Sequence, residues 1–220
     1  VIQARMGSTR LPGKILQPIA GLPLLGYIVG RLGNLRHEAR IVVATSEAQR
    51  DDVVLAFCAE RGVDCFRGSE DDVLARYYRC AREWNLDPVV RLTADNPFTD
   101  IEELDRLIDL HLNAGYDFSC SFEQLPVGVG AEIFSFAALE RCFLEGHAPH
   151  HREHVDEYIL ENRQAFSIGY LNAPEAKRHP ELRLTVDTEE DLRRARYIAE
   201  RAEGAFTTTA EAIRLCSQFA

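Results

Sequence analysis

The chain has no apolar run long enough to cross a membrane. Its apolar runs, such as Ile41-Val42-Val43-Ala44, fall far short of the roughly 20 residues that a spanning helix needs. It has no secretory leader pattern, because Arg5 and Arg10 flank a loop rather than an apolar core. It has no CxxC pair. The six cysteines (Cys58, Cys65, Cys80, Cys120, Cys142, Cys216) are scattered, which argues against structural zinc and a disulfide framework and for reduced thiols in a cytoplasmic protein. It has no excess of basic residues either. A net charge of −10 argues against a nucleic-acid surface, since binding a phosphate backbone needs clustered cations. No internal repeat and no low-complexity segment is present. The chain opens at Val1 inside a strand-like run, so a few residues are expected upstream.

What is present reads as one globular domain over residues 1–220. Strand-like and helix-like patterns alternate. Strands are expected at 41–45, 63–66, 88–92 and 116–122, and helices at 51–61, 71–84 and 101–114. This βαβα rhythm predicts an α/β fold, a mostly parallel sheet with helices on both faces. After about residue 122 the rhythm changes. A Gly- and Pro-containing turn region at 123–130 precedes a helix at 136–145, a His-rich loop and a helix at 152–163. Strands follow at 166–171 and 182–186, then a helix at 188–202 whose first turn carries Glu189, Glu190 and Asp191. In parallel sheets ligands sit beyond the carboxyl ends of the strands, so the loops there are the places to look.

The first such loop is dense in anion-binding chemistry. Arg5-Met6-Gly7-Ser8-Thr9-Arg10-Leu11-Pro12-Gly13-Lys14 combines three cations, two glycines and two hydroxyls after a short apolar run. Glycines let the backbone approach a phosphate, loop N–H groups point at it, and basic side chains neutralise it. It is not a P-loop: five residues rather than four separate Gly7 from Gly13-Lys14, and Ile15 stands where a hydroxyl should follow. It is not the dinucleotide-binding GxGxxG either. A local basic loop in an acidic chain suits a small anion. Two aspartates follow apolar runs elsewhere, Asp95 before Asn96-Pro97 and Asp187 before Thr188. Asp95 also suits a turn before Pro97, and Asp187 a helix start. If both strands run parallel to the first, the two carboxylates face the basic loop, an arrangement that suits Mg²⁺ together with substrate phosphates.

The segment from Ala4 to Lys14 resembles the signature of the cytidylyltransferases that activate acidic sugars. These are the CMP-Kdo and CMP-sialate synthetases and, most closely, the SpsF-like proteins of spore coat polysaccharide synthesis. Further blocks resemble the family in family order: Ile41 to Ser46, Phe66 to Leu74, Arg91 to Pro97, Arg152 to Val155, and Leu184 to Leu192. The resemblance implies a Rossmann-like nucleotide-diphospho-sugar transferase fold. It implies transfer of CMP from CTP to an acidic sugar, with release of pyrophosphate. Arg5, Gly7, Ser8, Arg10 and Lys14 would hold the CTP phosphates, with Arg10, Lys14 and Asp95 carrying catalysis. Ala44, Thr45, Gly68 and Ser69 would line the cytosine and ribose pocket, and Asp95 and Asp187 would bind Mg²⁺. Arg152, His154 and Glu132 are expected on the acceptor side, with Arg152 on its carboxylate. The expected partners are CTP, a small acidic sugar and a second copy of the chain, paired through roughly 122–165, with no nucleic acid and no membrane.

Relatives often carry an acidic residue where this chain has Gly130. Two alternatives keep the fold. One takes a sugar or polyol phosphate as acceptor, with Arg152, Lys177 and Arg178 as a second basic cluster. The other binds nucleotide without catalysis, against which Asp95 and Asp187 weigh. The stretch from His147 to His154 carries four of the seven histidines. It has no cysteine or carboxylate at a usual ligand spacing, and Pro149 is expected to break a helical pair, so it reads as a loop rather than a zinc site.

Overall fold

The run Val42-Val43-Ala44-Thr45-Ser46 is buried at every position, so the strand it forms must be covered on both faces. The computed structural model describes residues 1–219. Its main sheet has seven strands: β1 (Ile2–Gln3), β4 (Val42–Ser46), β5 (Asp64–Gly68), β6 (Val89–Thr93), β7 (Phe118–Cys120), β8 (Glu132–Phe134) and β9 (Ile168–Tyr170), in the order β5-β4-β1-β6-β8-β7-β9. All run one way except β8, which is antiparallel to both β6 and β7. A small hairpin, β2 (Pro18–Ile19) with β3 (Leu22–Pro23), stands apart.

Helices cover both faces. On one, Leu24, Leu25 and Ile28 of α1 (Leu24–Leu32) join Val54 and Phe57 of α2 (Asp52–Arg61) and Leu104 and Leu107 of α4 (Ile101–Ala114). Leu192 and Ile198 of α8 (Glu189–Ala199) and Leu215 of α9 (Thr209–Cys216) complete that cluster. On the other face, Leu74, Tyr77 and Ala81 of α3 (Val73–Glu83) pack with Leu139 and Cys142 of α5 (Phe136–Glu145) and Ile159 of α7 (Glu157–Glu161). The mostly parallel α/β sheet expected from the alternating pattern is present. None of the cysteines forms a disulfide, and no helix among the described residues is long and apolar enough to cross a membrane.

Several elements differ from expectation. Residues 182–186 do not join the sheet. They run extended and pair with a loop instead: Val127 N–H donates to Leu182 O, Leu184 N–H to Val127 O, and Val186 N–H to Asp95 O. The helix expected at 152–163 is two short helices, α6 (Pro149–Glu153) and α7, separated by His154 in an extended conformation. Pro149 starts α6, where its fixed φ suits the first helical turn, rather than breaking it. Helices α1 and α9 and the β2–β3 hairpin have no counterpart in the sequence reading.

Gly128 fixes the extended 182–186 segment in place. Its φ is +92°, and a Cβ there would meet Thr185 N at 2.7 Å and Asn96 Oδ1 at 2.9 Å. Gly128→Ala is therefore expected to destabilise the fold by about 1–3 kcal/mol, the usual cost of a strained position, read as a fall in the urea midpoint. An unchanged midpoint would mean that the two segments do not pack this closely.

Candidate active site

The chain leaves β1 towards β4 on one side of the sheet and returns as β6 on the other. The order of strands therefore reverses between β1 and β6, and a crevice opens beyond their carboxyl ends. The basic loop fills the edge of this crevice. Buried Asp51 anchors it: Met6 N–H donates to Asp51 Oδ1 at 2.7 Å, while Ser46 gives the other oxygen its N–H at 3.3 Å and its hydroxyl. Gly13, at φ 71°, closes the loop by donating its N–H to Met6 O at 3.2 Å. Ser8 Oγ accepts from Leu11 N–H at 3.3 Å. A Cβ on Gly7 would lie 3.0 Å from Arg50 Nε, against an ion pair between Arg50 and Glu70, so a larger residue there would push these side chains aside.

Lys14 begins a short 3₁₀ turn and points inward, with 7% of its surface exposed. Its ammonium donates to Asp95 Oδ2 at 2.9 Å, Asp187 Oδ1 at 2.9 Å and Val186 O at 2.7 Å, which uses all three of its hydrogens. Arg10 Nη2 reaches the same Asp187 oxygen at 3.0 Å, and Arg183 takes the other. Thr93 Oγ1 donates to Asp95 Oδ1 at 2.5 Å. Burial works to raise the Asp187 carboxyl, but the Lys14 hydrogen bond and the charges of Lys14, Arg10 and Arg183 outweigh it and hold the group below its ordinary range.

The crevice has a volume of about 400 Å³. Arg5, Gly7, Ser8, Arg10, Lys14, Asp95, Asp187 and His154 line it, together with Gln3, Val73, Arg91, Thr93 and Glu153. The loop and the two aspartates thus meet, although Asp95 and Asp187 lie 81 and 173 residues from Lys14.

Other expected residues lie elsewhere. Ala44 and Thr45 are fully buried in β4, and Thr45 Oγ1 has no partner. Gly68 ends β5, where a Cβ would meet Phe66 Cε1 at 2.9 Å, and Ser69 Oγ accepts from Asp72 N–H at 3.0 Å. None of these four lines the crevice. Nor does Arg152, whose Nη1 donates to Phe143 O at 3.2 Å, whose guanidinium covers the Phe143 ring at 5.0 Å, and whose Nε lies 3.6 Å from Asp72. Glu132 sits behind the wall, paired with Arg91 at 2.5 Å. Gly130 is packed so that a Cβ would meet Phe122 Cδ1 at 2.8 Å and Ser121 Oγ at 3.0 Å, so an acidic side chain there needs Phe122 to move. Lys177 pairs with Asp100, Glu102 and Glu103, and Arg178 with Ala173 O and Asn172 Oδ1, so neither offers a basic cluster to the crevice.

The fold does bring a carboxylate to the histidines: Glu161 takes His150 Nε2 and His151 Nε2 at 2.7 Å each. His151 Nδ1 accepts from Ala148 N–H, which assigns the proton to Nε2. Ligation of a metal through His151 Nε2 needs the reverse tautomer, a bare Nε2 with Nδ1–H donating outward. This cluster is a clamp between α6 and α7. The sequence reading missed Asp51, Arg50, Gln3 and Arg91. Strand register brings Gln3 and Arg91 to the crevice, while Asp51 and Arg50 support the basic loop from outside its lining.

The profile of the family described as Cytidylyltransferase matches residues 1–213. The chain is 36% identical over 207 residues to the spore coat polysaccharide biosynthesis protein SpsF of Bacillus subtilis, covering 92% of this chain and 86% of that one. Its structure is similar to that of a cytidylyltransferase from Leptospira borgpetersenii, with a TM-score of 0.91 and 33% identity over 99% of this chain and 92% of the other. The fold is also that of a CMP:2-keto-3-deoxy-manno-octonic acid synthetase complexed with CTP. That pair has a TM-score of 0.66 and 18% identity, over 89% of this chain and 95% of the other.

An Asp187 carboxyl held below its ordinary range contributes stability that is present above that range and lost as pH falls through the lowered value. Lys14→Met removes the hydrogen bond that does most to lower it. The difference in urea midpoint between wild type and K14M is expected to be largest near pH 7 and to shrink as pH falls below about 4. A difference that widens on acidification would contradict this geometry.

Proposed function

The chain belongs to the cytidylyltransferase family, and from that premise we propose that it transfers CMP from CTP to the anomeric hydroxyl of an acidic sugar. The acceptor is of the 3-deoxy-ulosonic or nonulosonic type, the reaction uses Mg²⁺ and releases pyrophosphate, and the product serves surface polysaccharide synthesis. One observation carries this reading: Lys14, Asp95 and Asp187 meet in the crevice beside the basic loop. Nucleotidyl transfer itself follows from family membership. The second basic cluster that a sugar-phosphate acceptor would want is engaged away from the crevice: Lys177 on Asp100, Glu102 and Glu103, Arg178 on Ala173 O and Asn172, and Arg152 on Phe143 O and Asp72.

The donor set fits a divalent cation. Two carboxylates converge in the crevice and are already held by three positive side chains, Lys14, Arg10 and Arg183. Asp95 and Asp187 would hold Mg²⁺, a hard ion that takes carboxylate oxygens together with substrate phosphates. Bound there, it would offset charge on the phosphoryl oxygens and lower the pKa of the attacking hydroxyl. A triphosphate entering the crevice competes for Arg10 and Lys14. As those side chains turn to phosphate oxygens, the carboxylates lose their cations.

The anomeric hydroxyl gives up its proton to solvent, its oxygen forms a bond to the α-phosphorus, the bond to the bridging oxygen breaks and pyrophosphate leaves. The protein positions both ligands in line and supplies fixed charge where the phosphates gain it. Arg5, Ser8 and the N–H groups of the loop hold the triphosphate, while Lys14 and Arg10 balance the leaving group. On this reading the nucleoside lies on the β4–β5 side, where Ala44, Thr45, Gly68 and Ser69 stand outside the crevice lining. His154 and Glu153 form the acceptor wall.

The whole chain acts as one such domain, cytoplasmic and paired through 122–165. Exposed Phe122 and Leu144 lie in that segment and support the pairing. The test is pyrophosphate release across four nucleoside triphosphates and several sugar acids. Release is expected with CTP and an acid, abolished by chelation, and lowered on the order of 10²–10³-fold by Asp95→Asn. Release that ignored chelation, or survived D95N, would refute the metal assignment.

A further inference from the structure

Behind the loop, the crevice reaches down the face of the sheet that carries α3. Gln3 of β1 and Arg91 of β6 form its floor, and Val73, Glu153 and His154 its wall. The register pairs Gln3 with Thr93, so Arg91, two residues before Thr93, projects from the same face one step away.

Arg91 is held by its neighbours. Glu132 lies directly opposite it on β8, and the two side chains pair through Nη1 and Oε2 at 2.5 Å. The guanidinium also lies over the Tyr77 ring at 5.9 Å. Only 16% of the Arg91 side chain is exposed, and 1% of Glu132. Nη1 is the only one of its guanidinium nitrogens with a protein partner among the described residues; buried Nε has none. Gln3 Oε1, also buried, has none either. An orphaned buried donor and an orphaned buried acceptor in one floor are costly unless a ligand meets them.

The Nε–Nη2 edge of a guanidinium matches the two oxygens of a carboxylate. The other cations lining the crevice, Arg5, Arg10 and Lys14, all belong to the basic loop. Arg152 and the Lys177–Arg178 pair are engaged elsewhere. Building on the function proposed above, we infer that Arg91 binds the carboxylate of the acceptor sugar through its free edge, with Gln3 accepting a hydrogen bond from a sugar hydroxyl. Glu132 is a positioning residue that aims Arg91 and does not touch the sugar.

Charge agrees with this assignment. Burial pushes the Glu132 carboxyl up to about 8, and the nearby Asp156 adds to the rise although Arg91 opposes it. Arg91 keeps its charge beside Glu132, and its unpaired edge is the part of the floor that attracts an anion. A neutral base or hydroxyl would not need a charged group there.

The test compares Arg91→Lys with wild type in pyrophosphate release from CTP, using 3-deoxy-manno-octulosonate and N-acetylneuraminate as acceptors and their methyl esters as uncharged controls. R91K keeps the charge and loses the fork. The acceptor KM is expected to rise about 10- to 100-fold, the loss of a charge-assisted bidentate contact, while the CTP KM stays within about twofold. Wild type should prefer acid to ester, and R91K should lose much of that preference. If R91K fails to fold, the Arg91→Gln/Glu132→Gln double variant removes both buried charges together and should show the same split. An unchanged acceptor KM, or a rise confined to CTP, would overturn the inference while leaving CMP transfer intact. No release by wild type with any acid would overturn the proposed function itself.

Discussion

A single ammonium joins the parts of this molecule that matter most. Lys14 Nζ lies between Asp95 and Asp187 and also holds the carbonyl of Val186. It thereby ties the loop after β1 to the loop after β6 and to the segment before α8. Breaking such a buried pair by removing one partner usually costs about 3–5 kcal/mol, because a desolvated charge is left unpaired. The surrounding structure is built to avoid that state. Arg10 and Arg183 share Asp187, and Thr93 shares Asp95. The same cluster stores positive charge at the one place where a triphosphate would meet the carboxyl ends of the sheet.

The fold serves this meeting point from three directions. Asp51 holds the backbone of the basic loop, and Gly13 lets the loop turn back on itself. Gly128 allows the 126–129 loop to lie against 182–186, which carries Asp187 into place. Antiparallel β8 sets Glu132 opposite Arg91, so the floor of the crevice is fixed by strand register rather than by a flexible loop. Side chains on strands are held more firmly than those on loops, which suits the acceptor-binding role inferred for Arg91.

Elements with strong periodicity were legible in the sequence. Helices over 101–114 and 136–145 follow directly from their apolar spacing, and Thr188 caps α8 as its first turn suggests. Helix α1 was not legible, because Gly26 and Gly30 read as breakers. In the fold Gly30 is a site of close approach, where Phe206 would crowd a Cβ at 3.1 Å, while a Cβ on Gly26 would make ordinary contact with Phe57 at 3.4 Å. The run at 182–186 looks like a strand because it is apolar and β-branched, yet its partners are loop residues that no local pattern reveals. The basic loop and both aspartates could be picked out by chemistry alone. That Lys14 bridges the aspartates, and that Arg91 faces Glu132, depends on pairings between distant segments. Arg152 was attractive as a lone arginine after a histidine run, but the aromatic ring of Phe143 and the end of α5 claim it.

The central claim of the proposed function is that Lys14 holds Asp95 and Asp187 until a triphosphate draws it away, and that the freed carboxylates then take a divalent cation. Binding of Mn²⁺, followed by electron paramagnetic resonance with and without a non-hydrolysable CTP analogue, tests this most directly. The account requires strong coupling: weak Mn²⁺ binding to the free protein, and binding at least about tenfold tighter with the analogue present, which corresponds to roughly 1.4 kcal/mol of coupling. Equal Mn²⁺ affinity in the two states would contradict it.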